Sequence, residues 1–67
     1  MSQRLHWERR GRFLDLCDGD ELLASVETRR RRLGPTTYHW LVTGRRTPIA
    51  GMTTDLADAK RTILLYV

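Results

Sequence analysis

One cysteine, one lysine, one phenylalanine and two prolines are all that these 67 residues contain of four structurally telling residue types. A lone Cys17 excludes an internal disulfide and leaves no cysteine pair for a zinc knuckle. No apolar run approaches the roughly 20 residues that cross a bilayer as a helix. The leading Met1-Ser2-Gln3-Arg4 runs into mixed polar residues rather than the apolar centre of a signal peptide, so the expectation is a soluble, cytoplasmic protein. The glycines stand singly at positions 11, 19, 34, 44 and 51. No Gly-rich loop is therefore present to cradle a phosphate. A chain this short buries only roughly 60% of its unfolded surface, which allows one domain, one small core and no deep pocket. Neither size nor residue pairing suggests an enzyme.

What is abundant is arginine. Eleven of the twelve basic residues are Arg, Lys60 being the exception, and the net charge is +4. Arg makes bidentate contacts to phosphate and carboxylate, so clusters of it suit anionic partners. A GC-rich genome also favours Arg codons, which accounts for the ratio of Arg to Lys but not for where the arginines sit.

The C-terminal stretch organises the chain. Leu56, Ala59, Ile63, Tyr66 and Val67 recur at helical spacing, with Asp55 placed to cap the N-terminus and Asp58 to complement its dipole. The spacing predicts a helix over 55–66. Ahead of it the pattern is that of strands. Leu5-His6-Trp7 alternates within a strand over 4–8, and Leu14 and Leu16 share one face of a strand over 12–17. Asp18-Gly19 signals a type I′ hairpin into a strand over 21–28, with Leu22, Ala24 and Val26 on one face. Tyr38, Trp40 and Val42 alternate in a strand over 36–43, and a brief last strand covers 48–52. The expected fold is α+β: an antiparallel β-meander of four to five strands with one C-terminal α-helix packed on one face, all in a single domain over 1–67. The expected core is Leu5, Trp7, Leu14, Leu16, Leu22, Ala24, Val26, Tyr38, Trp40, Val42, Ile49, Leu56, Ala59 and Ile63. Phe13, Leu23, Leu41 and Leu65 are left over, either as scattered exposed residues or as parts of an interface.

Alternate turns of a meander lie at the same end of the sheet. The turn carrying Arg9, Arg10 and Arg12 and the loop carrying Arg29, Arg30, Arg31 and Arg32 are therefore expected on one edge. Asp18, Asp20, Arg45 and Arg46 are expected on the other. Like charges held close repel and do nothing for folding, so the seven arginines are the candidate binding residues, for a phosphate backbone or an acidic protein surface. A solvated loop that keeps the protein soluble is the plainer explanation of an Arg run taken alone.

Candidate chemistry is thin. Cys17 lacks a base at a readable spacing and reads as a packing residue, so no catalytic residue is assigned. His6 and His39 both alternate with aromatics and point to the open sheet face. Two histidines without a suitably spaced carboxylate make a poor metal site, and neither metal nor cofactor is expected. Trp7, Tyr38 and Trp40 would stack bases if exposed, but they share faces with the aliphatic residues and read as core.

Two resemblances follow from these motifs. The final strand at 36–43 and the helix entry at 52–61 resemble the three-stranded-sheet DNA-binding domains of plant ethylene-response factors and of phage integrase arm-binding modules. That resemblance implies Arg and Trp side chains carried into a DNA groove, although the families' Gly and Trp motifs are not reproduced. Leu5-His6-Trp7, Asp18-Gly19, Tyr38-His39-Trp40-Leu41-Val42 and Asp55-Leu56-Ala57-Asp58-Ala59-Lys60 together resemble small single-domain prophage and mobile-element proteins of GC-rich bacteria, anti-CRISPR inhibitors among them. That resemblance implies a non-enzymatic protein that binds a host protein or nucleoprotein complex, with a homodimer as one way to enlarge the small core. Direct DNA or RNA binding through the Arg loops is the alternative, and no membrane partner is expected.

Overall fold

The computed structural model describes residues 4–44 and 46–67. Met1, Ser2, Gln3 and Arg45, for which readings were made above, lie outside the described residues. Five strands, β1 (Leu5–Arg10), β2 (Phe13–Asp18), β3 (Glu21–Arg29), β4 (Thr37–Val42) and β5 (Ile49–Thr53), precede one helix, α1 (Leu56–Leu64). Each strand pairs antiparallel with the next, so the sheet order is the chain order, β1-β2-β3-β4-β5. This is the expected meander, with the helix laid over β4 and β5.

Both short hairpins turn on a glycine in the left-handed region. Gly11 and Gly19 have φ of 63° and 61°, whereas no non-glycine residue among those described has positive φ. The expected type I′ turn at Asp18-Gly19 is therefore corrected. Asp18 pairs with Glu21, which leaves Gly19-Asp20 as the two-residue loop. Positive φ at the first central position alone is the type II′ requirement.

Leu14, Leu16, Ala24, Val26 and Val42 from the sheet meet Ala59 and Ile63 from the helix, with Trp7, Tyr38, Trp40 and Leu56 packed at the margin. Asp55 accepts a hydrogen bond from the Ala57 backbone N–H at 3.0 Å and so caps α1 as expected. Lys60 Nζ lies 5.1 Å from the centre of the Trp7 ring. Through this cation–π contact the helix also reaches the edge strand. Its regular turns end at Leu64, short of the expected 66, because the Leu65 and Tyr66 amides close back on Thr62 and Ile63 in a tight final turn. Tyr66 and Val67 are consequently exposed rather than buried in the stripe. Tyr66 still stacks on Trp40, with ring centres 6.2 Å apart.

Leu22 departs most clearly from the expected core. The register shifts between Leu16 and Cys17, so that Leu16 faces Ala24 but Cys17 faces Leu22. This bulge, one extra residue in β3, reverses side-chain parity beyond it. Leu22 therefore shares the far face with Cys17 and is 45% exposed. Leu5, at the start of the edge strand, is also exposed. Leu22→Thr is expected to change unfolding free energy by less than about 0.5 kcal/mol, as surface substitutions do. Denaturant melts would check this, and a large loss would place Leu22 back in the core.

Candidate functional site

The two Arg-bearing connections do meet. Arg9, Gly11, Arg12, Thr28, Arg29 and Arg30 line one open groove of about 610 Å³ at the end of the sheet. A backbone hydrogen bond from Thr28 N–H to the Arg12 carbonyl, 2.8 Å long, ties the β1–β2 turn to the end of β3. Meander parity brings the turns together, and this bond joins their backbones.

Glu27, not singled out from the sequence, holds part of that charge. Its carboxylate lies 3.0 Å from Arg29 Nε and 3.8 Å from Arg12 Nη1. Its signal was present in the strand period: Glu27 and Arg29 are two apart on one strand and share a face. Arg9, Arg30, Arg31 and Arg32 have no ion pair with any described carboxylate. These four carry the edge's uncompensated charge.

Not every candidate arginine lines the groove. Arg10 turns to the far face of the sheet, where Nη1 lies 3.5 Å from Asp15 Oδ2. Asp15 is 6% exposed and also accepts a 2.9 Å hydrogen bond from Ser25 Oγ, so Arg10 is occupied by a structural carboxylate. Arg31 lines an adjoining hollow with Arg29, Arg30, Thr37, His39 and Met52. Arg32 is exposed on the same loop but lines neither cavity. At the opposite end, Asp18 accepts from the Arg4 backbone N–H at 3.3 Å.

The face of the sheet away from α1 is uncovered. Pairing places Phe13 beside Glu27, Glu27 beside His39 and His39 beside Met52, with Leu41 and Ala50 in the next row. Phe13 is 42% and Met52 58% exposed, and Leu41 is likewise exposed. These exposed apolar side chains, with Glu27 and His39 between Phe13 and Met52, border the Arg edge directly, because Arg31 and Met52 line the same hollow. Trp7, Tyr38 and Trp40 pack on the helix side instead, against the core. They offer no stacking platform on the uncovered face.

His6 and His39 lie on the same face but on β1 and β4, at least three strand spacings or roughly 14 Å apart and further still because of their offset along the strands, and cannot share a ligand. Cys17 is buried. Burial pushes its thiol above the usual range, and the Glu8 and Asp15 carboxylates push it further. A thiol so disposed is a poor nucleophile at neutral pH.

Comparison with known proteins gives no match. No family model, curated protein or solved structure matches this chain. Its geometry alone must carry a functional reading. No helix among the described residues is long and apolar enough to cross a membrane.

Proposed function

We propose that this chain is a non-enzymatic binding protein that docks on the acidic surface of a nucleic-acid-handling protein complex. The observation that supports this most is the adjacency of two unlike surfaces. Exposed Phe13, Leu41 and Met52, interleaved with Glu27 and His39 on the open face, lie beside a rim of Arg9, Arg30 and Arg31 that lack carboxylate partners. Protein interfaces combine an apolar centre with a polar rim, and Arg is enriched in them. An inhibitor of the kind implied by the prophage resemblance would act in this way, by occupying a partner's surface rather than by chemistry.

A second reading, direct binding of DNA or RNA, is favoured by the groove itself, where Arg9 and Arg30 have no carboxylate partner and guanidinium groups suit phosphate oxygens. The two readings differ in salt dependence and in their need for the exposed apolar side chains. Nucleic-acid binding predicts a log–log salt slope of about −0.9 per phosphate neutralised on duplex DNA, and indifference to Phe13 and Met52.

The test is capture from nuclease-treated host lysate, run beside titrations with duplex and single-stranded DNA at two salt concentrations. The proposal expects a nuclease-resistant protein partner whose recovery falls at least tenfold in both Arg9→Ala/Arg30→Ala/Arg31→Ala and Phe13→Ser/Met52→Ser. Recovery unchanged by the Arg variant would remove the edge from the binding surface. DNA binding with a steep salt slope, lost only in the Arg variant, would establish the second reading instead.

A further inference from the structure

On the uncovered face at the far edge of the sheet, three side chains of different chemistry converge. His6 and Glu8 alternate on the edge strand β1, and the register sets Cys17 of β2 directly opposite His6. His6 Nε2 lies 3.8 Å from Glu8 Oε2, Cys17 Sγ lies 3.9 Å from the same oxygen, and all three donor atoms fall within 4.8 Å of one another.

The orientation of His6 is held from behind. Its Nδ1 lies 3.1 Å from the Arg4 backbone carbonyl. A carbonyl can only accept, so Nδ1 carries the proton, and in the neutral ring the Nε2 lone pair then faces Glu8 and Cys17. Metal-binding histidines are held in this way, with the far ring nitrogen donating to a carbonyl or carboxylate. At 3.8 Å the Nε2 lone pair and the Glu8 oxygen do not touch, and the space between them and the Cys17 sulfur is faced by electron-pair donors on three sides.

We infer that His6, Glu8 and Cys17 form a binding site for a zinc-class divalent metal. Imidazole, carboxylate and thiolate together are a zinc donor set, and three protein ligands leave one position for water. Bond lengths of about 2.0–2.3 Å place tetrahedral ligand atoms roughly 3.3–3.7 Å apart. The two shorter separations observed exceed that by only a few tenths of an ångström, and the third, between His6 Nε2 and Cys17 Sγ, closes by a shift of about 1 Å in the exposed His6 side chain. Metal binding deprotonates the thiol and releases a proton. The ion would clamp edge strand β1 to β2, adding to the hairpin ladder, the Arg10–Asp15 ion pair and the Trp7–Lys60 contact that otherwise hold it. The site is independent of the Arg edge and of any partner bound there.

Cobalt(II) is the direct probe, because thiolate ligation gives it a ligand-to-metal charge-transfer band. One equivalent of Co²⁺ added to the reduced full chain is expected to produce that band, and one equivalent of Zn²⁺ to abolish it. His6→Gln and Glu8→Gln, both at exposed positions that spare the fold, should each weaken zinc affinity by about 100-fold or more, at or beyond the upper end of what losing an outer-shell partner costs. His39→Gln should leave affinity unchanged. Circular dichroism of each variant confirms that it remains folded. Absence of the charge-transfer band at stoichiometric cobalt would overturn the inference, and so would a band that survives in folded His6→Gln.

Discussion

Gly51→Ala is expected to lower the unfolding free energy by about 3 kcal/mol, the upper end of what inserting a methyl group into a packed site costs. Gly51 pairs with Trp40 across β4 and β5, and the indole occupies the space a side chain at position 51 would take. A Cβ at position 51 would meet Trp40 Cζ2 at 2.3 Å and Cε2 at 2.6 Å. Neither atom is the loose end of a flexible chain. The indole belongs to a rigid ring stacked on Tyr66 and packed against the core, so it can yield only by leaving both neighbours. Small domains hold roughly 0.05–0.15 kcal/mol per residue, which makes this loss a large part of the total. Urea unfolding followed by tryptophan fluorescence should show a lower midpoint at unchanged slope. A variant within 0.5 kcal/mol of the wild type would mean that the indole is not held as described.

Ile63→Ala should be about as damaging, costing about 3–4 kcal/mol, in the middle of the range for large-to-small core substitutions. Ile63 and Ala59 are the only two residues of α1 that are fully buried, and Ile63 has no exposed surface. The four side-chain carbons of Ile63 reduce to one in alanine, beneath a helix of only nine residues. An isolated helix this short is marginal in water, so its existence depends on that contact. Leu65→Ala is the control. Leu65 follows the helix, is 80% exposed and should be nearly neutral. Far-ultraviolet circular dichroism against temperature checks both. Equal melting of the two variants would mean that Ile63 does not anchor the helix.

The meander itself was legible because each strand carries a period-2 pattern and each connection a turn residue. Leu14-x-Leu16, Ala24-x-Val26 and Tyr38-x-Trp40-x-Val42 all lie on the face their spacing implies. The meeting of Arg9 with Arg30 followed from turn parity alone. The side of the sheet to which Arg10 turns did not. It depends on the pairing of Arg10 with Phe13, and on a buried Asp15 whose need for partners draws the guanidinium away from the groove. Leu22 was misplaced for a related reason. A bulge adds one residue to a strand without interrupting its apolar pattern, so nothing in the letters marks where parity reverses.

The same distinction separates the two candidate sites. The Arg edge is a property of chain order, since like-sided turns of any antiparallel meander share an end, whatever the register. The trio of His6, Glu8 and Cys17 is a property of register, since a shift of one residue would turn Cys17 or His6 to the opposite face. Residue order therefore determined the architecture, the helix and the basic rim, because periodicity and turn chemistry act over a few neighbouring residues. Only the tertiary structure decided which side chains share a face across strands, because that depends on how the hairpins align, and alignment is settled by packing the whole sheet against one short helix.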